Sequence, residues 1–528
     1  MSRILFFTSN GTGLGHLTRS MAIARRLDGR LEPLVFTMSA AAPVVREQGF
    51  PVEFSASYRT PCAGTEWRWS RRLRGRARSA IAEADPALVV FDGAHPYLGF
   101  LDALRAERGV RSVWCRRAMW KPGANVAALP RAAAFDAVLE PGEVAAAADR
   151  GPTVERRDEA KCVAPMVYLD REAMLPRAEA ERELGLEPGR TNVLVALGQG
   201  DEVAGATARC LRHLSTHSEV QVATVRSPVA SAVGRAERKP STDARSEARS
   251  MADAAGLVEL DATYPMSRYY AAFDLVVSAA GYNAYHELLA LRVPALFVPM
   301  TRETDDQAAR ARHAATAGLG RAVDGPASGR LEAELDALLD ADVRDGIATN
   351  LAALEMPDGA REAADWLVEL AGGERAPAGG EREKQRNWHL PGGSPRETLE
   401  FLARVPRGVA ALGKQLIVSP RPPRTVVLAL GLSGPELERE VAATLARAQD
   451  PPERVLVITD SLDFAPLRRA GVGFEYVPAR GERQPDLAGG DYDSFLRSRL
   501  ELILAERPRP RRAIAIGAAD EAALQAAI

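Results

Sequence analysis

Along the first 165 residues, short apolar runs alternate with segments whose apolar residues recur three and four positions apart. Ile4–Thr8, Pro33–Thr37, Ala87–Phe91, Arg111–Cys115 and Ala137–Leu139 are predicted strands. Leu17, Met21, Ala24 and Leu27 fall on one face of a predicted helix between the first two. Strands that alternate with helices argue for a parallel sheet with crossover helices. After a charged, proline-bearing stretch near 170–190 the pattern restarts. Asn192–Leu197, Glu219–Thr224, Gly256–Leu260, Leu275–Ser278 and Ala295–Val298 form a second strand series. A run of glycines and charges, "GGERAPAGGEREKQRN", then reads as a linker. Thr425–Leu430, Arg454–Thr459 and Arg512–Ile516 are strand candidates beyond it.

The chain is thus predicted to be α/β, with Rossmann-like units at 1–165 and 166–370, a linker at 371–420 and a small α/β unit at 421–528. Two such units leave a cleft between them, where ligands usually bind. The length of 528 residues fits about three domains.

Charge and composition add mainly exclusions. A net charge of −2 gives no general case for nucleic-acid binding. The four cysteines, Cys62, Cys115, Cys162 and Cys210, are scattered without metal-ligand spacing and read as reduced thiols. No apolar stretch approaches the ~20 residues of a spanning helix. The chain enters a strand-like run at Arg3 without a signal-peptide pattern, so a cytoplasmic protein is expected.

Candidate chemistry begins at Gly11-Thr12-Gly13-Leu14-Gly15-His16, between the first strand and its helix. Glycines there let backbone approach a ligand, and a helix N-terminus favours an anion. No acidic residue ends the second strand, which disfavours a nicotinamide cofactor, and no cofactor is expected. Taken alone, the loop is equally a tight turn with His16 as a solvated cap.

The stretch "VVSAAGYNAYHELLALRVPALFVPMTRETDDQAARA", residues 276–311, is more specific. A strand ends at Ser278, Gly281 allows a turn into a helix starting near Asn283, and Glu287 lies one turn along. The following strand delivers Asp306 and Gln307. Backbone N–H groups for phosphate, a carboxylate for a hydroxyl pair and an Asp–Gln pair for further hydroxyls suit a nucleotide-sugar.

These residues resemble the donor site of GT-B glycosyltransferases, combining features of the family-28 enzymes with the UDP-glycosyltransferase signature. Gly281-Tyr282-Asn283-Ala284-x-x-Glu287 matches G-W-N-S-x-x-E, with Tyr for Trp and Ala for Ser. "RVPALFVP" matches G-[VL]-P-A-L-F-V-P in all but its first residue. The resemblance implies that Glu287 binds the ribose and that Asp306 and Gln307 bind the donor sugar. Gly281, Tyr282 and Asn283 would complete the donor site with Gly198 and Gln199 of "VALGQG", which resembles the family's glycine-rich phosphate loop. Ala279 stands where the plant-type signature has a phosphate-binding histidine, so the family-28 arrangement of backbone and helix dipole is the closer pattern.

The resemblance also implies a role for the first loop. His16 would take a proton from the acceptor hydroxyl, and an imidazole has the right pKa for it. Gly11, Gly13 and Gly15 would shape that loop. Asp92 would orient His16, or is a helix cap or turn residue. His95 is a weaker candidate for the acceptor pocket and reads first as structural. His213 and His217 are i, i+4 but lack the glutamate of H-E-x-x-H, and His286 and His313 add no metal spacing, so no metal site is expected. His286 is expected to face away from Glu287.

Residues 66–80, "EWRWSRRLRGRARSA", form a basic segment that reads as a solvated helix or as a contact for anionic headgroups or an acceptor diphosphate. "ATLARAQDPPERVLVITDS" resembles the start of family-2 glycosyltransferases, but no Asp-x-Asp metal pair follows its later strand. Asp491-Tyr492-Asp493 precedes a helix and should cap it. The C-terminal unit therefore reads as a non-catalytic Rossmann-like appendage.

The expectation is a metal-independent, inverting transfer of a hexose-type sugar from a nucleotide diphosphate sugar to a hydroxyl or amine. The partner is a nucleotide-sugar, a UDP-sugar by resemblance, with no nucleic acid. The acceptor is left open, lipid-linked and polysaccharide both fitting, with peripheral contact at the inner face of the membrane in the former case. A sugar-nucleotide 2-epimerase and a non-catalytic nucleotide-sugar scaffold are the alternatives.

Overall fold

The computed structural model describes residues 2–9, 14–107, 109–198, 201–225, 257–261, 263–373, 421–482 and 491–528. Three parallel sheets organise them. The first, in the order β3-β2-β1-β4-β5-β6-β7, contains β1 (Arg3–Thr8), β2 (Glu32–Thr37), β3 (Val52–Phe54), β4 (Leu88–Asp92), β5 (Arg111–Cys115), β6 (Ala137–Pro141) and β7 (Ala160–Val163). The second, β10-β9-β8-β11-β12-β13, contains β8 (Thr191–Ala196), β9 (Val220–Val225), β10 (Val258–Leu260), β11 (Leu275–Ser278), β12 (Ala295–Phe297) and β13 (Arg321–Ala322). The third, β16-β15-β14-β17, contains β14 (Thr425–Leu430), β15 (Val455–Thr459), β16 (Gly473–Tyr476) and β17 (Arg512–Gly517).

The predicted strands are all present, with ends that differ by at most two residues; Gly256 and most of the expected linker, 374–420, lie outside the described residues. Those the pattern missed, β3, β7, β13 and β16, are two to four residues long. Such pieces are too short to display a period. Leu17, Met21, Ala24 and Leu27 are buried together against the first sheet, as their spacing predicts.

Strand order locates the chemistry. In the first sheet the order reverses between β1 and β4, where Thr8 pairs with Asp92. In the second it reverses between β8 and β11, where Ala196 pairs with Ser278. Ligands bind outside the carboxyl ends of strands at such points, because the two crossover helices diverge there. His16 and Asp92 lie at the first reversal; Gly198 and Gly281 lie at the second.

The chain returns to its start. Ala360, Ala363, Ala364 and Leu367, on the helix Gly359–Gly372, join the core of the first sheet. The C-terminal unit is also docked closely. Phe54 on β3 packs on Phe464 and Phe474, with ring centroids 4.5 and 5.8 Å away. Arg499, 1% exposed, donates to Glu53 at 2.7 Å and to Glu83 at 2.9 Å. The expected appendage is therefore a unit whose core merges with that of the first.

Candidate functional site

The helix Gly15–Arg25 starts straight after the loop from β1, with no side-chain cap on its first turn. His16 is thereby set beside the end of β4, its Nδ1 2.7 Å from Asp92 Oδ1. Arg19, which shares a helix face with His16 at i+3, donates to Asp92 through Nε at 3.1 Å and Nη2 at 2.5 Å. Arg19 Nη2 is also 2.9 Å from His16 Nδ1. A carboxylate accepts better than a neutral imidazole, so Nδ1–H donates to Asp92 and leaves Nε2 unprotonated. Burial lowers the His16 pKa, and Arg19 and Arg117 push the same way against Asp92, keeping the ring neutral. For Asp92, burial pushes the pKa upward, but Arg19 and His16 outweigh it and hold the carboxyl below its ordinary range. Gly11 and Gly13 lie outside the described residues, as does Gln199.

Opposite stands the helix Tyr282–Ala290, whose N-cap is Gly281. With φ −70°, Gly281 occupies backbone open to any residue, so the turn does not demand glycine there. A side chain on it would instead point toward Gln307 Nε2, 3.7 Å away. The cap has no side-chain bond, leaving first-turn N–H groups for an anion. Gly198, by contrast, has φ +90° and needs glycine. Asn283 Nδ2 donates to the Gly15 carbonyl at 3.2 Å, placing the two helix starts face to face. Glu287 is partly buried beside Tyr168, and burial raises its pKa to about 7 against one backbone N–H from Tyr168.

Of the residues expected to touch the donor, Tyr282 is engaged at the join between the units, and the side chains of Asp306 and Gln307 bond within the second unit. Tyr282 is 2% exposed; its hydroxyl donates to the Gly142 carbonyl and accepts from Met166 N–H, both at 3.0 Å. Asp306 caps the helix Gln307–Thr316, accepting from Ala309 N–H at 3.0 Å. Gln307 is buried, accepting from Met300 N–H at 2.9 Å and donating to Asp305 at 3.3 Å. Tyr282 turns into the join, while Asp306 caps its own helix and Gln307 bonds to Met300 N–H and Asp305 of the same unit.

That join is ionic and was not legible in the sequence. Arg310 is fully buried and donates to both oxygens of Glu143, at 2.9 and 2.7 Å, and to Asp305 at 2.7 Å. Arg117 approaches Asp305 at 3.1 Å. Backbone pairing between Trp120 and Asp305 is flanked by bonds from Lys121 N–H to Thr304 and from Asp306 N–H to Met119. Arg19 carried a usable signal, its i+3 spacing from His16. The others are scattered over separate elements and carried none.

His286 faces away from Glu287, as expected. Its Nδ1–H donates to the Tyr282 carbonyl at 2.7 Å, and its Nε2 accepts from Val144 N–H at 3.2 Å. Burial lowers its pKa to about 4, so its approach to Glu143 is not an ion pair. His95 bonds to Arg131. His213 and His217 share Asp336, at 2.6 and 3.4 Å, on the outer face of the second unit. Asp491 caps its helix through Ser494 N–H at 2.8 Å.

The basic helix, Glu66–Ala84, keeps Arg68, Arg74 and Arg78 exposed. Arg74 and Arg78 approach Asp102 and Glu107 of the first unit at 3.5 and 2.9 Å, and Arg76 is buried beside Glu53. Arg71 meets Glu506 of the C-terminal unit at 3.0 Å. No described helix is long and apolar enough to cross a membrane.

Two Rossmann-like units with switch points facing each other define the GT-B fold. The structure of UDP-GlcNAc 2-epimerase from Neisseria meningitidis bound to UDP-GlcNAc is similar, with TM-score 0.50 and 10% identity over 70% of this chain and 98% of its own. MurG of Acinetobacter baumannii is similar with TM-score 0.45 and 17% identity, over 70% and 99% of the chains. The spinosyn rhamnosyltransferase SpnG complexed with thymidine diphosphate has TM-score 0.41 and 15% identity, over 69% and 100%. No curated protein sequence matches the chain. Residues 241–362 match the glycosyltransferase family 28 C-terminal domain, so this GT-B chain resembles family 28 through its second unit.

Proposed function

We propose that the protein is a glycosyltransferase that moves a hexose-type sugar from a nucleotide diphosphate sugar, a UDP-sugar, to an acceptor hydroxyl or amine. The observation that carries this reading is the His16–Asp92 pair, set against the start of the family-28 helix by the Asn283–Gly15 bond. His16 Nε2 takes the acceptor proton as the acceptor atom attacks the anomeric carbon and the bond to the diphosphate breaks. Asp92 holds the reactive tautomer and stabilises the imidazolium that forms. The uncapped end of the Tyr282–Ala290 helix stabilises charge on the departing diphosphate. One displacement on the face opposite the leaving group inverts the anomeric centre. Glu287 accepts from the ribose hydroxyls.

Three buried carboxylates, Asp92, Glu143 and Asp305, are held by arginines. They are poor bases for abstracting a proton from a sugar carbon, the step that 2-epimerisation needs. The pKa of Asp305 is about 2, because Arg117 and Arg310 outweigh its burial. His16 and Glu287 are the bases open to either reaction, so the products formed from the donor decide between them. Incubation with a panel of nucleotide-sugars, following release of nucleoside diphosphate with and without simple acceptors, tests the proposal. Release from one donor is expected. No release from any, or conversion of the donor to its C2 epimer, would overturn it.

A further inference from the structure

His213 and His217 direct their Nε2 atoms at one oxygen of Asp336, at 2.6 and 3.4 Å. The ligating atoms of the three side chains lie within 4.8 Å of one another, the one such group among the described residues. The sequence alone showed an i, i+4 pair without a third ligand, since Asp336 follows His213 by 123 residues.

Local structure holds the group in place. His213 sits in the last turn of the helix Asp201–Leu214, and Asp336 sits on the helix Leu331–Leu339. One turn earlier on both helices, Arg209 donates to both oxygens of Glu332, at 2.9 and 2.6 Å. That fork fixes the register of the two helices and neutralises the Arg209 charge. Leu214 and Leu335 are buried beneath it in one core. His217 lies in the turn after the first helix, kept tight by bonds from Thr216 N–H to His213 and from His217 N–H to Leu214, both at 3.1 Å. Glu219 approaches His217 Nδ1 at 3.5 Å, where a carboxylate favours the tautomer with a free Nε2 lone pair.

Two imidazoles and a carboxylate suit a borderline divalent metal, whereas calcium and magnesium prefer oxygen alone. A tetrahedral zinc ion separates neighbouring ligand atoms by roughly 3.3 Å. The His217–Asp336 distance is already close to that, and a small rotation of the half-exposed Asp336 side chain brings His213 to it. The histidine side chains are 21% and 28% exposed, so water can reach the fourth position. The group stands away from the cleft. Its Glu219 carbonyl accepts from Thr191 N–H, at the amino end of β8, whereas Gly198 and Gly281 lie beyond the carboxyl ends. The helix between spans about 20 Å.

We propose that His213, His217 and Asp336 bind one zinc ion, which clips the helix Leu331–Leu339 to the helix Asp201–Leu214. The site is independent of the sugar-transfer reading, because at that distance the ion acts on the stability of the second unit and not on chemistry in the cleft.

The test uses the full chain without a histidine tag, freed of metal by a chelator. Zinc chloride is titrated by calorimetry, cobalt(II) is followed by its visible absorption, and melting temperature is measured with and without zinc. One saturable zinc site, tetrahedral cobalt bands and a rise in melting temperature are expected. His217→Gln and Asp336→Asn should each weaken zinc binding about tenfold or more and abolish the rise. Without metal both should melt close to wild type, since exposed ion pairs contribute little. No saturable zinc binding would overturn the proposal. So would binding that both variants leave intact, which would place the ion elsewhere, as on the exposed Cys162 thiol.

Discussion

Arg310 and Glu143 join the two Rossmann-like units by parallel bonds of 2.9 and 2.7 Å between side chains that are 0% and 1% exposed. Removing Arg310 leaves Glu143 a buried carboxylate beside a neutral His286, while Asp305 keeps Arg117 at 3.1 Å. Arg310→Met should therefore cost about 3–5 kcal/mol of stability, read from denaturant unfolding. Replacing both Arg310 and Glu143 by apolar residues of similar volume should cost less than the single change. A single variant within 0.5 kcal/mol of wild type, roughly the level of a surface change, would contradict this.

Adjacent residues tilt stability with pH in opposite directions. Burial raises the Glu287 pKa to about 7, so the folded state binds its proton more tightly than the unfolded chain does. Its contribution is complete below the ordinary carboxyl pKa and is lost as pH rises through about 7. His286, lowered to about 4 by burial, contributes fully above the ordinary imidazole pKa and loses that as pH falls toward 4. Glu287→Gln should flatten the decline between pH 5 and 7, and His286→Asn the decline below pH 6.5. Denaturant midpoints across pH 4–8 check both.

In the proposed function, ionised Glu287 is the form that would accept from ribose. Affinity for a nucleotide-sugar, whose diphosphate diester does not titrate near neutrality, should rise with pH through about 7. Glu287→Ala should remove that dependence and weaken binding by roughly 1.5–3 kcal/mol. Calorimetric titration at pH 6 and 8 would show it. Unchanged affinity in a folded variant would take Glu287 out of the site.

Arg19 acts through its neighbours. It lowers the His16 pKa and shares Asp92 with it. Arg19→Gln leaves the Asp92 carboxylate to His16 alone, so the ring protonates more readily. The acid limb of the kcat/KM profile should move to higher pH, with turnover at pH 6 falling more than at pH 8. A uniform loss across pH would mean that Arg19 only supports the fold.

Sheet organisation was legible because buried parallel strands are apolar runs of four to six residues. Leu275–Ser278, Arg111–Cys115 and Thr425–Leu430 have the predicted ends. The edge strands β3 and β13, three and two residues long, owe their pairing to neighbours that the local sequence does not name. The pairing of His16 with Asp92 was implied by the family resemblance alone, and the strand order that sets β1 beside β4 supplies its physical reason. Tyr282, Asp306 and Gln307 could not be resolved the same way. Motif spacing fixes where a residue lies along a helix; its side-chain partner, Gly142 across the join for Tyr282 and Ala309 N–H of its own helix for Asp306, is set by the fold.

The His16–Asp92 bond is best tested by a double-mutant cycle on the rate of sugar transfer. His16→Ala should lower turnover by about 10²–10⁴ while leaving nucleotide affinity nearly intact. Asp92→Asn should slow the wild-type enzyme substantially and the His16→Ala enzyme hardly at all, because its effect is exerted through the imidazole. Equal fractional losses in both backgrounds, measured on folded protein, would contradict the account and leave Asp92 a partner of Arg19 only.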